Sequence, residues 1–137
     1  MDAKIFFKGI RASFKELKSL QEERDRLFAM LTSTTVKPKE ISVQSSGPED
    51  KMAEIVAKMM ELDELINDQV HIILEKQIRA ERIIKQLSKV QHREILRWYY
   101  VQNLKWHEVA DRMNYDIAYV QRLNGEALSA AENYLEK

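Results

Sequence analysis

Apolar side chains recur at helical spacing along the first 31 residues of the chain. The sequence predicts a helix from Ala3 to Leu31, although Ser13 and Arg24 interrupt its apolar face. Because a glycine inside a helix costs about 1 kcal/mol, Gly9 leads us to expect that the first turns fray. The heptad stripe consists of Phe6, Ile10, Leu17, Leu20, Leu27 and Leu31.

A second helical pattern follows, from Glu49 to about Leu87, and it contains neither glycine nor proline. Gln69 and Lys76 break its companion row of apolar positions, so we expect a bend or a break between Gln69 and Arg79. An apolar period of 3.5 residues is typical of helices that supercoil around a partner. The main row consists of Met52, Met59, Ile66, Ile73, Ala80 and Leu87.

The nearest partner for this second helix is the first one, folded back across residues 32–48. That connection contains both prolines of the chain and many Ser and Thr residues, so we expect a mobile loop there. The first helix reaches only about 42 Å along the second. The sequence therefore predicts an antiparallel coiled-coil hairpin whose uncovered end packs on the C-terminal part or on another subunit.

After residue 87 the apolar stripes become shorter, which predicts three short helices. Asn103 and Asn114 suit the two tight turns because asparagine tolerates a positive φ, and Asp116 is placed to cap the third helix. Val109 and Val120 are expected to fill the space between the second and third short helices. Two helices joined by a turn of three or four residues are typical of a helix-turn-helix.

In a helix-turn-helix the second helix of the pair can lie in the major groove of DNA. Glutamine and asparagine amides suit adenine edges, whereas arginine suits guanine or phosphate. Off the apolar stripe of the third helix, we expect five side chains to face outward: Ala118, Tyr119, Gln121, Arg122 and Asn124. The preceding helix adds three candidate DNA contacts: Lys105, His107 and Arg112.

Residues 98–128 read WYYVQNLKWHEVADRMNYDIAYVQRLNGEAL. This text resembles region 4 of bacterial sigma factors, and more closely small phage and prophage proteins of the ArpU late-gene-regulator kind. The chain departs from the sigma pattern at Asn114, where glycine is usual, and at Lys105, where a Ser or Thr cap is usual. The resemblance implies transcriptional regulation through promoter DNA, RNA polymerase or both.

Composition and charge narrow the classes of function. The chain has no cysteine, and its three histidines are scattered, so we expect neither disulfides nor a metal site. No run of residues is apolar enough for a membrane span or a signal peptide, and we expect a cytoplasmic protein. No grouping of side chains resembles an active site, so we predict no catalytic residue, no cofactor and no enzyme.

Charge gives the strongest argument against nucleic acid. The chain carries 22 basic and 22 acidic residues, and residues 89–137 carry 7 of each. Because phosphate binding rests largely on Lys and Arg, DNA binding here requires basic side chains gathered on one side. We expect Lys105, Arg112 and Arg122 to lie together.

These observations predict an all-α protein with a helical hairpin over residues 1–87 and a helix-turn-helix over residues 88–137. The expected function is sigma-like transcriptional regulation on double-stranded DNA, with RNA polymerase as a further candidate partner and a homodimer through the hairpin. The alternative is a non-enzymatic interaction protein that binds polymerase or another regulator through the hairpin or the C-terminal part. A phage packaging subunit is disfavoured, because in that class the DNA-binding part precedes the coiled coil.

Overall fold

A computed structural model describes residues 2–34 and 47–135. Within those residues the chain is helical and contains no strand, so the all-α prediction is confirmed there. The five α-helices are α1 (Ala3–Thr34), α2 (Pro48–Ile84), α3 (Val90–Leu96), α4 (Trp106–Met113) and α5 (Ile117–Ala131). A π-helical turn at Arg97–Val101 follows α3, and a 3-10 turn at Glu132–Tyr134 follows α5.

The chain divides into two compact units. Unit 1 combines Met1–Phe14 with Ile72–Lys137, and unit 2 is Lys15–His71. This division differs from the predicted boundary after residue 87. The reason is that the first turns of α1 and the last turns of α2 share a core with the C-terminal helices.

The core of unit 1 begins with the first turns of α1. Phe7 and Ile10 are fully buried there, and so are Ile95, Val109 and Val120 from the C-terminal helices. The backbone N–H of Ala3 donates a hydrogen bond to Glu132 Oε2 at 2.7 Å. The expectation that these turns fray is therefore wrong, because tertiary burial outweighs the weak helix propensity of Gly9.

Unit 2 has a smaller core. Leu27 of α1 packs with Ile55 and Met59 of α2, and Leu31 and Leu62 lie partly buried against them. Arg24, which interrupts the apolar stripe of α1, forms an ion pair with Asp63 on α2. A polar interruption on one helix thus meets a polar residue on the other.

The helix α2 continues from Pro48 to Ile84 without a break. The expected break between Gln69 and Arg79 is therefore absent, and Lys76, one of the polar residues that suggested it, has a partner. Lys76 Nζ donates a hydrogen bond to Ser13 Oγ at 2.7 Å, and both residues belong to unit 1. Ser13 also donates to the carbonyl oxygen of Gly9.

Most of the expected loop, residues 35–46, lies outside the described residues, so its predicted mobility stays a prediction. Thr32 to Thr34, assigned to that loop from the sequence, instead continue α1. Val90 and Ile117, the first residues of α3 and α5, are exposed. Over the described ranges, no helix combines the length and apolar character that crossing a bilayer requires.

Candidate nucleic-acid interface

The connection between α4 and α5 is a three-residue turn with well-defined local chemistry. Asn114 ends α4 in the left-handed region, with φ 61° and ψ 40°. The Tyr115 N–H then donates to the carbonyl oxygen of Ala110 at 3.2 Å. Asp116 caps α5, since its Oδ1 accepts a hydrogen bond from the Tyr119 N–H at 2.8 Å. The sequence-based predictions for Asn114 and Asp116 are confirmed.

The start of α4 is closed in a different way. Lys105 precedes the helix with an extended backbone, and its side chain cannot accept the hydrogen bonds that a Ser or Thr cap accepts. Instead Glu108 Oε1 accepts a hydrogen bond from the Lys105 N–H at 2.8 Å. This is one half of a capping box, and it compensates for the departure from the sigma pattern at Lys105.

Small and branched apolar residues join α4 to α5. Val109 and Val120 are both fully buried, and Ala110 is nearly so. Met113 and Leu123 complete the contact on the two helices. The predicted role of Val109 and Val120 in filling the space between these helices is confirmed. Because interiors are close-packed, this contact holds the outer face of α5 in one orientation.

Residues far away in the sequence position the two helices. Arg11 of α1 donates hydrogen bonds to the carbonyl oxygens of Tyr99 and Leu104, at 2.7 and 2.8 Å. Its guanidinium also lies 3.8 Å from the centre of the Tyr99 ring. The same Tyr99 ring also stacks on the ring of Trp106, which is half-buried at the start of α4, with 3.6 Å between the ring centres. Sequence reasoning missed Arg11, because nothing local distinguishes it from a surface arginine.

Tyr100 forms a second support, under α5. Its ring is buried, and its hydroxyl donates a hydrogen bond to Asn124 Oδ1 at 2.9 Å. Burial raises the pKa of the Tyr100 hydroxyl above its ordinary value. The hydroxyl therefore stays protonated and remains a donor at neutral pH.

Asn124 differs from the expectation that it faces outward. It is half-buried, and its side-chain oxygen is already bonded to Tyr100. Only its amide nitrogen remains to donate a hydrogen bond to a ligand. The helical period alone could not show this, because Asn124 lies at the margin of the apolar stripe of α5.

The other candidate residues on α5 are more accessible. Ala118, Gln121 and Arg122 are exposed, whereas Tyr119 is half-buried. The guanidinium of Arg122 lies 5.0 Å from the centre of the Tyr119 ring, and that ring meets Tyr115 edge-on at 4.7 Å. The structure thus brings Tyr119 and Arg122 together into one aromatic and basic surface.

The candidates on α4 are exposed as well, namely Lys105, His107 and Arg112. The guanidinium of Arg112 lies 5.7 Å from the centre of the Trp98 ring. Arg122 instead lies over the ring of Tyr119. No contact within the described residues joins Lys105, Arg112 and Arg122. Their gathering on one side of the molecule stays a prediction.

The outward face of α5 is unusual for a helix in a neutral chain, because it carries no carboxylate. Ala118, Gln121, Arg122, Gly125 and Ser129 share this face by helical spacing, and all five are exposed. A Cβ added at Gly125 would meet nothing within 4 Å, so the space directly over this residue is open. The acidic Glu126 lies to one side, with its Oε1 3.5 Å from His92 Nε2.

The start of α1 borders this face. A shallow groove of about 340 Å³ lies between the first residues of α1 and the outer side of α5. Asp2 and Lys4 line it on one side, and the residues that line it elsewhere include Gln121, Gly125, Ser129 and Glu132. The sequence did not suggest this neighbour, since Lys4 and Gln121 are far apart in the chain. Among the described residues, no group of His, Asp or Glu side chains is arranged to hold a metal ion.

Comparison with known proteins assigns a family but no activity. No curated protein and no solved structure matches the chain. The family model described as a protein of unknown function, DUF1492, matches residues 30–132, which is about three quarters of the chain. That description names no partner, so the resemblance to sigma region 4 and to ArpU-type regulators stays a prediction. The chain belongs to the DUF1492 family.

Proposed function

We propose that this protein is a DNA-binding transcriptional regulator in which α4 and α5 form a helix-turn-helix. In this proposal α5 lies in the major groove and α4 braces against the DNA backbone. The helices α1 and α2 form an antiparallel hairpin that carries the reading module. The resemblance to phage and prophage regulators implies a cytoplasmic protein that acts on promoter DNA, with RNA polymerase as a further candidate partner.

The observation that carries the proposal is the outer face of α5. A capped helix, held by the core in which Val109 and Val120 are buried, presents Gln121 and Arg122 on a face that has short side chains and no carboxylate. Short neighbours let a helix approach the base edges closely. Gln121 can bond adenine and Arg122 can bond guanine in the major groove.

The remaining candidates have supporting roles in this proposal. Lys105 and His107 lie at the start of α4, where backbone N–H groups also favour a phosphate. Arg112 contacts phosphate from the other end of α4. Ala118 and Tyr119 make apolar contacts with thymine methyl groups or with the sugars of the DNA backbone. The amide nitrogen of Asn124 donates a hydrogen bond to the DNA.

Charge favours a second candidate, an interaction protein that binds RNA polymerase or another regulator. Residues 89–137 carry equal numbers of basic and acidic side chains, and Asp111 is exposed on α4. A neutral surface does not attract DNA over long distances. It is compatible with a protein partner, so the two candidates differ chiefly in whether salt weakens binding.

The test is a fluorescence titration of the full chain against a DNA site selected from the source genome. If Arg122 contacts a base, Arg122→Ala should weaken binding by about 1–3 kcal/mol and relax the preference at one base pair. Lys105→Ala should weaken binding to every sequence alike and reduce the salt slope by about one unit.

Lys18→Ala is the matched control, because Lys18 is an exposed cation on α1 and belongs to neither α4 nor α5. It should leave DNA affinity unchanged. If the wild-type chain shows no salt-dependent binding to any DNA and still binds polymerase, the interaction-protein candidate is correct and the DNA-binding proposal is wrong.

A further inference from the structure

A row of exposed residues with heptad spacing runs along α2, on the positions that the two cores leave unused. Every member of the row is exposed: Glu61, Glu64, Asp68, His71, Glu75, Ile78 and Arg82 lie on α2, and Lys85 directly follows its last residue. The spacing alternates between three and four residues, as in a coiled-coil seam. Its first part is acidic and its last part is basic.

Apolar side chains flank this row and are left in solvent. Met60, Leu65, Ile72 and Leu74 lie at the adjoining heptad positions, and Ile78 lies within the row itself. These five side chains are between 44% and 65% exposed. Single exposed apolar residues are ordinary, but a contiguous set on one helix marks an interaction surface.

The basic end of the row also borders a groove within unit 1. Leu74, Ile78, Arg82 and Lys85 line this open groove of about 760 Å³, with the half-buried Phe14 on its far side. Arg82 and Lys85 form no ion pair with any described residue, whereas Glu81, which also lines the groove, is already paired with Arg97. The groove is therefore apolar with a basic rim, and it suits an acidic helix that carries apolar side chains.

The chain itself contains such a helix. We propose that α2 is a self-association surface, on which the acidic part of α2 in one copy packs against the basic part of α2 in a second copy. When the two helices run antiparallel, the register that sets Glu61 opposite Lys85 also sets Glu64 opposite Arg82. The same register sets Asp68 opposite Ile78 and His71 opposite Glu75.

Because the arrangement is the same when the copies are exchanged, one dimer contains each contact twice, as a two-fold interface requires. The row from Glu61 to Lys85 is about 36 Å long at 1.5 Å per residue. Parallel helices would instead place the two acidic parts side by side, and the resulting repulsion opposes that orientation. The charges therefore select an antiparallel dimer, and burial of the flanking apolar side chains stabilises it.

The inference does not depend on DNA binding, and its test contains no DNA. The full chain is studied by sedimentation equilibrium at low and at high salt. The wild type should form a species of twice the chain mass, and it should dissociate more readily as salt rises, because exposed charges are screened. A wild type that stays monomeric at low salt and at its highest soluble concentration would overturn the proposal.

Charge reversal gives the sharper test. An acidic copy carries Arg82→Glu and Lys85→Glu, and a basic copy carries Glu61→Lys and Glu64→Lys. Each alone should lose the dimer, because like charges then face each other in both contacts. An equimolar mixture of the two copies should regain it, because every contact in the mixed dimer is again between opposite charges.

Regained association also shows that both variants are folded. The matched control carries Lys15→Glu and Lys18→Glu, two exposed positions on α1 with the same total charge change as the acidic copy. It should dimerise like the wild type. If the acidic copy alone still dimerises, or if the mixture stays monomeric, the second copy is not the occupant of this surface.

Discussion

Replacement of Phe7 by alanine should destabilise the C-terminal helices, although about ninety positions separate them from Phe7 in the sequence. The side chain of Phe7 is fully buried in the core of unit 1. Its ring lies 5.1 Å from the Phe6 ring and 5.4 Å from the ring of Tyr100, which in turn is bonded to Asn124 on α5. Removal of the ring leaves a cavity under the residues that support the candidate interface.

The expected cost follows from burial and from lost aromatic contacts. Truncation of a buried phenylalanine to alanine typically destabilises a protein by about 3–5 kcal/mol. Aromatic pairs contribute about 0.5–1.5 kcal/mol beyond their buried area, which places Phe7→Ala towards the upper end of that range. Since a small domain is stable by only about 5–15 kcal/mol, the variant should lose a large fraction of its free energy of unfolding.

Urea denaturation followed by tryptophan fluorescence measures this effect. Trp98 and Trp106 are the only tryptophans, and both belong to unit 1, so the emission reports that unit alone. With a typical slope of about 2 kcal/mol per molar urea, a loss of 4 kcal/mol lowers the midpoint by roughly 2 M. Far-UV circular dichroism of the same samples reports the helices of both units.

Ile5→Ala is the matched control, because Ile5 lies on the same turn of α1 and is 67% exposed. Its midpoint should shift by less than the equivalent of about 0.5 kcal/mol. A Phe7→Ala variant with the wild-type midpoint would refute the shared core of unit 1. So would a fragment of residues 88–137 that unfolds at the same urea concentration as the full chain.

Three further substitutions test the local chemistry by the same denaturation assay. Asn114→Val should cost about 1–2 kcal/mol, because a β-branched residue is strained at φ 61°, whereas Asn114→Gly should be tolerated; equal midpoints for the two would contradict a left-handed turn. Asp116→Ala should cost about 0.5–2 kcal/mol through loss of the α5 cap, and no loss would show that the bond to the Tyr119 N–H is not formed in solution. Tyr100→Phe should cost about 1 kcal/mol, since Asn124 Oδ1 loses its donor. Burial raises the pKa of Tyr100, so wild-type stability should fall as pH rises above 10.0, where the unfolded state ionises first, and this fall should be smaller in Tyr100→Phe.

The helices and the details of their ends could be predicted from the sequence. Heptad stripes predicted α1 and α2, and shorter stripes predicted α4 and α5. Asn114 and Asp116 indicated the turn between α4 and α5, and the structure has both in those roles. These features are readable because they depend on residues within one or two helical turns, where backbone preference and periodicity decide the outcome.

The residues that support the candidate interface could not be predicted, because they come together only through tertiary packing. Arg11 bonds to the carbonyl oxygen of Tyr99 across 88 positions of sequence, and no local pattern indicates that pair. The same holds for Asn124, which the helical period placed outside but which Tyr100 holds at the margin of the core. Lys76 likewise suggested a break in α2 until Ser13 proved to be its partner. A polar residue on an apolar stripe weakens the helical pattern whether or not the folded chain gives it a hydrogen-bond partner. The packing of distant segments decides whether it has one.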